Sequence, residues 1–503
     1  MSGLYLETAA TSIAAQFEYN DKDVLKGVSE FIREMRLGLA EERPTMCQIP
    51  TYLTHVASGS EKGLALAVDL GGTNLRVCSV DLHGDTTYTA HHSRIAVPRE
   101  IMLASHASTL FSFIAIQIKA FFLTYHPRFL EDENTSILRL GFTFSFPVHQ
   151  KSINSGTLLR WTKGFEIADA VGKDVCQLLQ FEIDALGLPI QVTALVNDAA
   201  GTIMARAYSL PLSSTRTSIG AIFGTGTNGV YLEKVANIKK PLYGKYDKST
   251  GEMFISIEWG SFDNNLAVLP VTPFDILLDK ESINPGNQMF EKRVSGMFLG
   301  ELLRLSLLSL NADPNIILFS GCNDQLEKNV PPTEDKENLV LLSKWSVDSS
   351  ILSIAEKDKS EFMEPFRKAI SETFKLPGAR VSLADAKAVK IIAHAIGKRA
   401  ARLSGMSTAA VMLQAGHFST LPLDKGSEVV IKEEVVEMGE NKSATVDIGV
   451  DGSVIEFYPG FESYMRETFR IIPEIGTAEI NIKLGITKDG SSVGAAIIAL
   501  LAG

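Results

Sequence analysis

LALAVDLGGTNLRVCSVDL, residues 64–82, decides the fold. A continuous apolar run of strand length stops at Gly71-Gly72-Thr73-Asn74, resumes as strand text, and meets a second turn at His83-Gly84-Asp85. The pattern reads strand, tight turn, strand, turn, strand. It returns in SIGAIFGTGTNGVYLEKV, residues 218–235, where Gly226-Thr227-Asn228 superposes on Gly72-Thr73-Asn74 at an offset of 154 residues. A matched tripeptide is common by chance, so the weight lies on the shared strand-turn-strand context. Two related α/β units are expected, each opening with a glycine turn.

Between and around them, ILRLGFTFSFP (137–147) and IQVTALVND (190–198) read as further strands, and AAGTIMARAY (199–208) as a helix. Val24, Val28, Phe31, Met35 and Leu39 fall at helical spacing behind Asn20 and Asp21 as possible caps. KRVSGMFLGELLRLSLLSL (292–310) reads as one buried or half-buried helix, and 386–403 and 492–502 as helical. The polar stretch 322–338, with its Pro pair, is expected to be an exposed mobile loop.

A length of 503 residues implies two or three domains with ample core. With 45% hydrophobic and 21% charged residues, the chain is neither disordered, collagen-like nor coiled coil. A net charge of -11 is the wrong balance for broad attraction to nucleic acid or anionic lipid, though it leaves room for a local basic pocket. Cys47, Cys78, Cys176 and Cys322 are too scattered for a disulfide framework or a metal site and are expected to be reduced. No basic residue precedes Lys22, and AAIIALLA (495–502) is about half of what a bilayer needs. A soluble, cytoplasmic protein is the expectation.

Glycines at a strand end let backbone N–H groups approach phosphate oxygens, and Asp69 before Gly71-Gly72 could organise a magnesium ion through water. A plain hairpin turn is the bland alternative. Gly224, Gly226 and Gly229 also spell GxGxxG, but the dinucleotide fingerprint needs a helix there, whereas NGVYLEKV alternates like a strand. No Walker lysine motif is present. Asp198, at a strand end, could accept the proton of an attacking hydroxyl, while an N-cap is the competing reading of Asn197-Asp198. Lys163 could neutralise a transferring phosphoryl group or simply cover apolar surface beside Trp161. Glu258 and Glu291, each readable as a structural glutamate, form with Asn197, Asp198 and Asn228 a set of acids and amides suited to several hydroxyls of a neutral polyol.

These motifs, in this order, resemble the hexokinase family, and its fungal glucokinase branch in particular. LAVDLGGTNLRVCSV is similar to the first phosphate motif, LGFTFSFP with RWTKGF to the sugar signature, VNDAAGT to the catalytic strand end, and IFGTGTNG to the second phosphate motif. EWGSFDN, NPGNQMFEKRVSGMFLGE, GVDGSV and DGSSVGAA continue the series, so the likeness runs from about residue 20 to 502. It implies an actin-like (ribonuclease H-like) duplicated α/β ATPase fold whose two domains close around sugar, ATP and Mg2+. The expected division is 1–60 in the large domain, 61–196 as the small domain, 197–490 as the rest of the large domain, and a helix at 491–503 returning to the small one.

The resemblance makes Asp198 the general base toward the sugar 6-hydroxyl, with Lys163 near the transferred group. Ser145, Thr162, Lys163, Asn197, Asn228, Glu258 and Glu291 would hold the sugar. Asp69, Gly71, Gly72, Thr73, Asn74 and Arg76 would line the first phosphate site, Thr225 and Gly226 the second, and Gly452 and Ser453 the adenosine side. No direct metal ligand is implied, since Mg2+ would arrive with ATP. The expected assembly is a monomer or weak homodimer.

The family's usual Thr after the catalytic Asp is Ala199 here, followed by Ala200, and its common Asn-Thr before the sugar-binding Glu is Ser256-Ile257. Smaller residues there are either drift or room for an acyl group at the sugar 2-position. The expected activity is therefore phosphorylation of glucose or a related aldohexose, feeding glycolysis, with an N-acetylglucosamine kinase and a catalytically weak sugar sensor as the alternatives.

Overall fold

The alternation of residue size in strand β2 (Lys62–Leu70) shows how the first unit is layered. Leu66, Val68 and Leu70 enter one apolar core, whereas Ala65 and Ala67 face another, so one face carries bulk and the other admits close approach. In this computed structural model, which describes residues 2–42, 44–71, 74–127, 137–161, 163–211, 216–316, 318–319, 341, 343–376, 381–418 and 445–502, helix Ala107–Tyr125 packs on the bulky face. Helix Gly490–Leu501 packs on the alanine face.

The first sheet has the order β4-β3-β2-β5-β8, with β3 (Asn74–His83), β4 (Tyr88–Ala96), β5 (Leu138–Phe144) and β8 (Ile190–Val196). β2, β3 and β4 run antiparallel, while β5 and β8 lie parallel to β2. The hairpin β6 (Val148–Ser152) and β7 (Ser155–Leu158) stands beside it as a separate two-stranded sheet.

The second sheet repeats the scheme. β9 (Thr217–Phe223), β10 (Thr227–Lys234) and β11 (Glu252–Ser256) are antiparallel, and β12 (Val446–Asp451) and β13 (Ile482–Ile486) are parallel to β9, giving β11-β10-β9-β12-β13. A two-residue strand, β1 (Ile49–Pro50), extends it at β11. The repeat expected from the two glycine turns is thus a repeat of strand order and sense.

Helix Asp198–Tyr208 belongs to the second sheet, where Arg206 grips Asp447 of β12 through two hydrogen bonds of 2.7 and 3.1 Å. It meets helix Gly490–Leu501 at a glycine crossing, since a Cβ added to Gly494 would collide with the Gly201 backbone. The two sheets therefore join through two helices in backbone contact.

Around the second sheet, helix Leu383–Gln414 is almost wholly buried and starts with a capping box between Ser382 and Asp385. Helix Asp21–Ala40 packs against it and is capped by Asn20, as expected.

The reading of 292–310 as one helix needs correction, because Glu291–Val294 and Gly296–Asn311 are separate helices with an extended residue, Ser295, between them. Gly296 N–H donates to Gly224 O at 2.7 Å and Met297 N–H to Thr225 O at 3.2 Å, so contacts with the second glycine turn replace helix continuation. The stretch 322–338, including Cys322, lies outside the described residues; Cys47 is exposed, and Cys78 and Cys176 are buried. Among the described residues one helix, Ala107–Tyr125, is long and apolar enough to cross a membrane. Its Leu110, Phe111, Ile114, Ile118 and Phe122 are fully buried against the first sheet.

Candidate active site

The second glycine turn sits in a cage of hydrogen bonds. Thr227 N–H donates to Glu291 Oε2 at 3.0 Å, and Trp259 Nε1–H donates to Thr227 Oγ1 at 2.8 Å. The Trp259 ring lies over Gly229, where any Cβ would come within 2.5 Å of it. That packing explains the third glycine of GxGxxG, and the text after it is β10 rather than a helix, so the dinucleotide reading is excluded.

Asn228 Nδ2 donates to Glu258 Oε1 at 2.8 Å and to Ser256 Oγ at 3.2 Å, while its Oδ1 accepts from Glu258 N–H at 3.0 Å. The Ser256 hydroxyl donates to the same Glu258 oxygen at 2.7 Å. Glu258 has a φ of +59°, a conformation that a non-glycine residue keeps only when its surroundings over-determine it.

Asp198 is the first residue of its helix. Asn197 is the N-cap, and Asn197 Oδ1 and Asp198 Oδ1 both accept from Ala199 N–H, at 2.9 and 2.8 Å. The cap reading therefore holds for Asn197, and Asp198 Oδ2 has no hydrogen bond among the described residues. The same is true of Glu258 Oε2 and Glu291 Oε1, so each of the three carboxylates is anchored through one oxygen and offers the other.

Lys163 lies on a left-handed bend with Gly164, its φ at +57°, and its Nζ donates to Ser145 O at 2.8 Å. Burial raises the carboxyls of Asp198, Glu258 and Glu291 above their ordinary range, and the Lys163 ammonium opposes that rise at all three. Asp69 continues the alanine face of β2 toward this group. Burial raises it to about 6, Arg76 (4.0 Å away) and Lys163 pull down, and the Asp198 charge pushes up. Residues from both sheets thus share one electrostatic site.

At the first glycine turn, Gly71 N–H donates to Asn74 O at 3.2 Å, and Arg94 Nε–H donates to Asn74 Oδ1 at 3.1 Å. Gly72, Thr73 and Thr162 lie outside the described residues. Thr225 is exposed beside Gly226. Gly452, at φ +118°, lies so close to Phe223 and Gly224 that a Cβ there would collide with their backbone, which brings Gly452 and Ser453 onto the second turn.

Asp451, missed in the sequence, ends β12 next to them. Burial lifts it to about 6, and the Asp198 and Asp489 charges add to the rise. The available signal was an acid closing an apolar strand immediately before a glycine.

Of the departures from the family pattern, Ala199 and Ile257 lie in the core and Ser256 joins the hydrogen bonds of Glu258. Ala199 and Ile257 are 0% exposed and packed in the core, so neither supplies a free apolar wall. Ser256 is buried against Glu258 and Asn228.

Two family profiles, both described as hexokinase, match residues 9–208 and 218–501. The chain is 50% identical to a glucokinase of Aspergillus niger, over 100% of this chain and 98% of that one. It is 37% identical to glucokinase-1 of Saccharomyces cerevisiae, over 98% and 97% of the two chains. Its fold matches a hexokinase from Schistosoma mansoni complexed with glucose, with a TM-score of 0.78 and 29% identity over 100% of both chains. The chain belongs to the hexokinase family, whose members use ATP. It is an enzyme of the hexokinase and glucokinase type, built on the actin-like ATPase fold.

Proposed function

We propose that this enzyme transfers the γ-phosphoryl group of magnesium-ATP to the 6-hydroxyl of glucose, with Asp198 as general base. The observation that carries the reading is the trio Asp198, Glu258 and Glu291, each fixed through one oxygen, with no hydrogen bond to the other among the described residues, and each within electrostatic range of the Lys163 ammonium. Free carboxylate oxygens at fixed positions are acceptors for sugar hydroxyls, and Asn228 adds an amide. Asp198 Oδ2 accepts the hydroxyl proton, and Lys163 lowers the cost of bringing an alkoxide-like oxygen toward a charged phosphoryl group. Glu258 and Glu291 hold the ring, assisted by Ser145, Thr162 and Asn197, so that the correct hydroxyl meets the base.

The nucleotide supplies the phosphoryl group and its magnesium neutralises charge on the phosphates. The residues present fit such a ligand. Asp69 and Asp451 are half-buried oxygen donors that an adjacent cation would ionise, and glycine turns of the kind that hold Gly71 and Gly224–Gly226 can offer backbone N–H groups to phosphate. Arg76, with Gly72 and Thr73, serves the first phosphate site, Thr225 and Gly226 the second, and Gly452 and Ser453 the adenosine side. The small domain comprises 61–196 with the C-terminal helix, and its closure on the large domain keeps water from competing with the sugar hydroxyl.

ADP release from magnesium-ATP, measured in parallel with glucose, fructose, mannose, glucosamine and N-acetylglucosamine, tests this directly. Turnover led by glucose is expected. Asp198→Ala should lower kcat by about two to four orders of magnitude while glucose binding stays measurable. Near-normal turnover of that variant would remove Asp198 from the role of base.

A further inference from the structure

We propose that Ser256 is a positioning residue for sugar capture, holding Glu258 in the ionised, correctly aimed state that takes the sugar hydroxyls. The inference rests on the reading of Glu258 as a sugar ligand. Ser256 is the last residue of β11, 3% exposed, and its hydroxyl lies between the two residues that matter. It donates to Glu258 Oε1 at 2.7 Å and accepts from Asn228 Nδ2 at 3.2 Å, while Asn228 Nδ2 also reaches Glu258 Oε1 at 2.8 Å. Three side chains thus close a ring in which one Glu258 oxygen is fully engaged and the other is left for ligand.

The ring is needed because of the backbone. Glu258 holds a left-handed φ of +59° at the point where β11 gives way to the Trp259–Ser261 turn, so its side chain leaves a conformation with little intrinsic preference for it. Asn228 fixes this residue at two points, accepting from Glu258 N–H and donating to its carboxylate. Ser256 supplies the second donor to the carboxylate, and it comes from the same strand that ends in the bend. Gln48 supports that strand end from behind, with its backbone N–H and its Nε2–H both donating to Ile257 O, at 3.3 and 3.4 Å. The hydroxyl therefore rests on a rigid element, which a positioning group requires.

Its electrostatic consequence is separable from packing. A donated hydrogen bond favours the charged form of a carboxylate. Glu258 is otherwise pushed toward its neutral form, first by burial and then by the Asp198 charge, with Lys163 in opposition and Glu291 and Cys47 also in electrostatic range. Losing the Ser256 hydroxyl makes Glu258 easier to protonate, so the pH at which glucose affinity falls off on the acid side moves upward.

The test is calorimetric titration of glucose into the wild-type enzyme, Ser256→Ala, Ser256→Thr and Glu258→Gln between about pH 4 and 8 (a range that spans ordinary and burial-raised carboxyl titration), with steady-state kinetics alongside. Ser256→Ala should weaken glucose binding roughly tenfold or more, the scale of a hydrogen bond to a charged group. Its KM for magnesium-ATP should be unchanged and the acid-side fall in glucose affinity should begin at higher pH. Ser256→Thr, which keeps the hydroxyl, should recover most of the affinity. Ser256→Ala binding glucose within about twofold of wild type would overturn the proposal, as would a Thr variant as weak as the Ala variant, which would indicate packing alone. Unimpaired binding by Glu258→Gln would instead overturn the sugar-site reading beneath it.

Discussion

The two glycine turns occupy equivalent places in sheets of the same strand order, yet their flanking residues have gone opposite ways. At the offset that aligns them, Asp69 matches Phe223, Arg76 matches Val230, and Asn74 matches Asn228. Asp69 and Arg76 are a half-open charged pair 4.0 Å apart. Phe223 and Val230 are fully buried, Phe223 stacking on Trp259 with ring centroids 5.6 Å apart. Asn74 accepts from Arg94, whereas Asn228 orients Glu258. Topology sets where backbone N–H groups emerge. The side chains at matched positions then give one turn charged flanks and the other a packed, hydrogen-bonded clamp, suited in the proposed reading to phosphate and metal and to the sugar respectively.

Exchanging the defects breaks this comparison most sharply. Glu258→Gln should reduce kcat/KM for glucose on the order of a hundredfold while sparing the KM of magnesium-ATP, and Asp69→Asn should do the reverse. Initial-rate kinetics with each substrate varied in turn would show it, and parallel defects in both variants would mean that the turns do not divide the labour.

Acid sensitivity separates the sides next. Asp69 and Asp451 are both raised to about 6 by burial, so the charged forms that attract a magnesium complex are present above that pH and disappear below it. At saturating glucose, kcat/KM for magnesium-ATP should therefore decline with a slope approaching about a hundredfold per pH unit below about 6, and the Asp69→Asn variant, which has lost one of the two titrations, about tenfold per unit. A flat wild-type profile down to about pH 5 would contradict the assignment.

The smallest expected effect is on stability. Gly229→Ala forces a Cβ within 2.5 Å of the Trp259 ring and should cost about 1–3 kcal/mol in denaturant unfolding. Gly71→Ala meets, among the described residues, only the Asn74 carbonyl oxygen, at 3.9 Å, and should stay within about 0.5 kcal/mol of wild type. Equal losses would show the first turn to be as tightly clamped as the second.

Much of this fold can be read from local text. LALAVDL and SIGAIFG are strands because both faces of each are covered, which makes them continuously apolar, and the turn residues between strands are explicit. The break at Ser295 is invisible because apolar periodicity runs across it, and only the distant carbonyls of Gly224 and Thr225 capture the N–H groups of Gly296 and Met297. The site is less legible than the fold. Asp69, Asp198, Glu258, Glu291 and Asp451 span most of the chain, so no spacing rule collects them; family resemblance gathered the first four. Asp451 has no local signal beyond an acid that closes an apolar strand, and the hydroxyl of Ser256 meets Glu258 through a bend that no residue spacing reveals.

Helix Gly490–Leu501 has one more consequence, for the order in which the protein is made. It covers the alanine face of strands completed by Val196, nearly 300 residues earlier in the chain. At synthesis rates of about 5–20 residues per second, that face waits on the order of 15–60 s for its cover. During this interval Ala65, Ala67, Cys78 and Val80 lack the cover of that helix while the strands of the second sheet are still being synthesised. The first unit is thus begun early and sealed last.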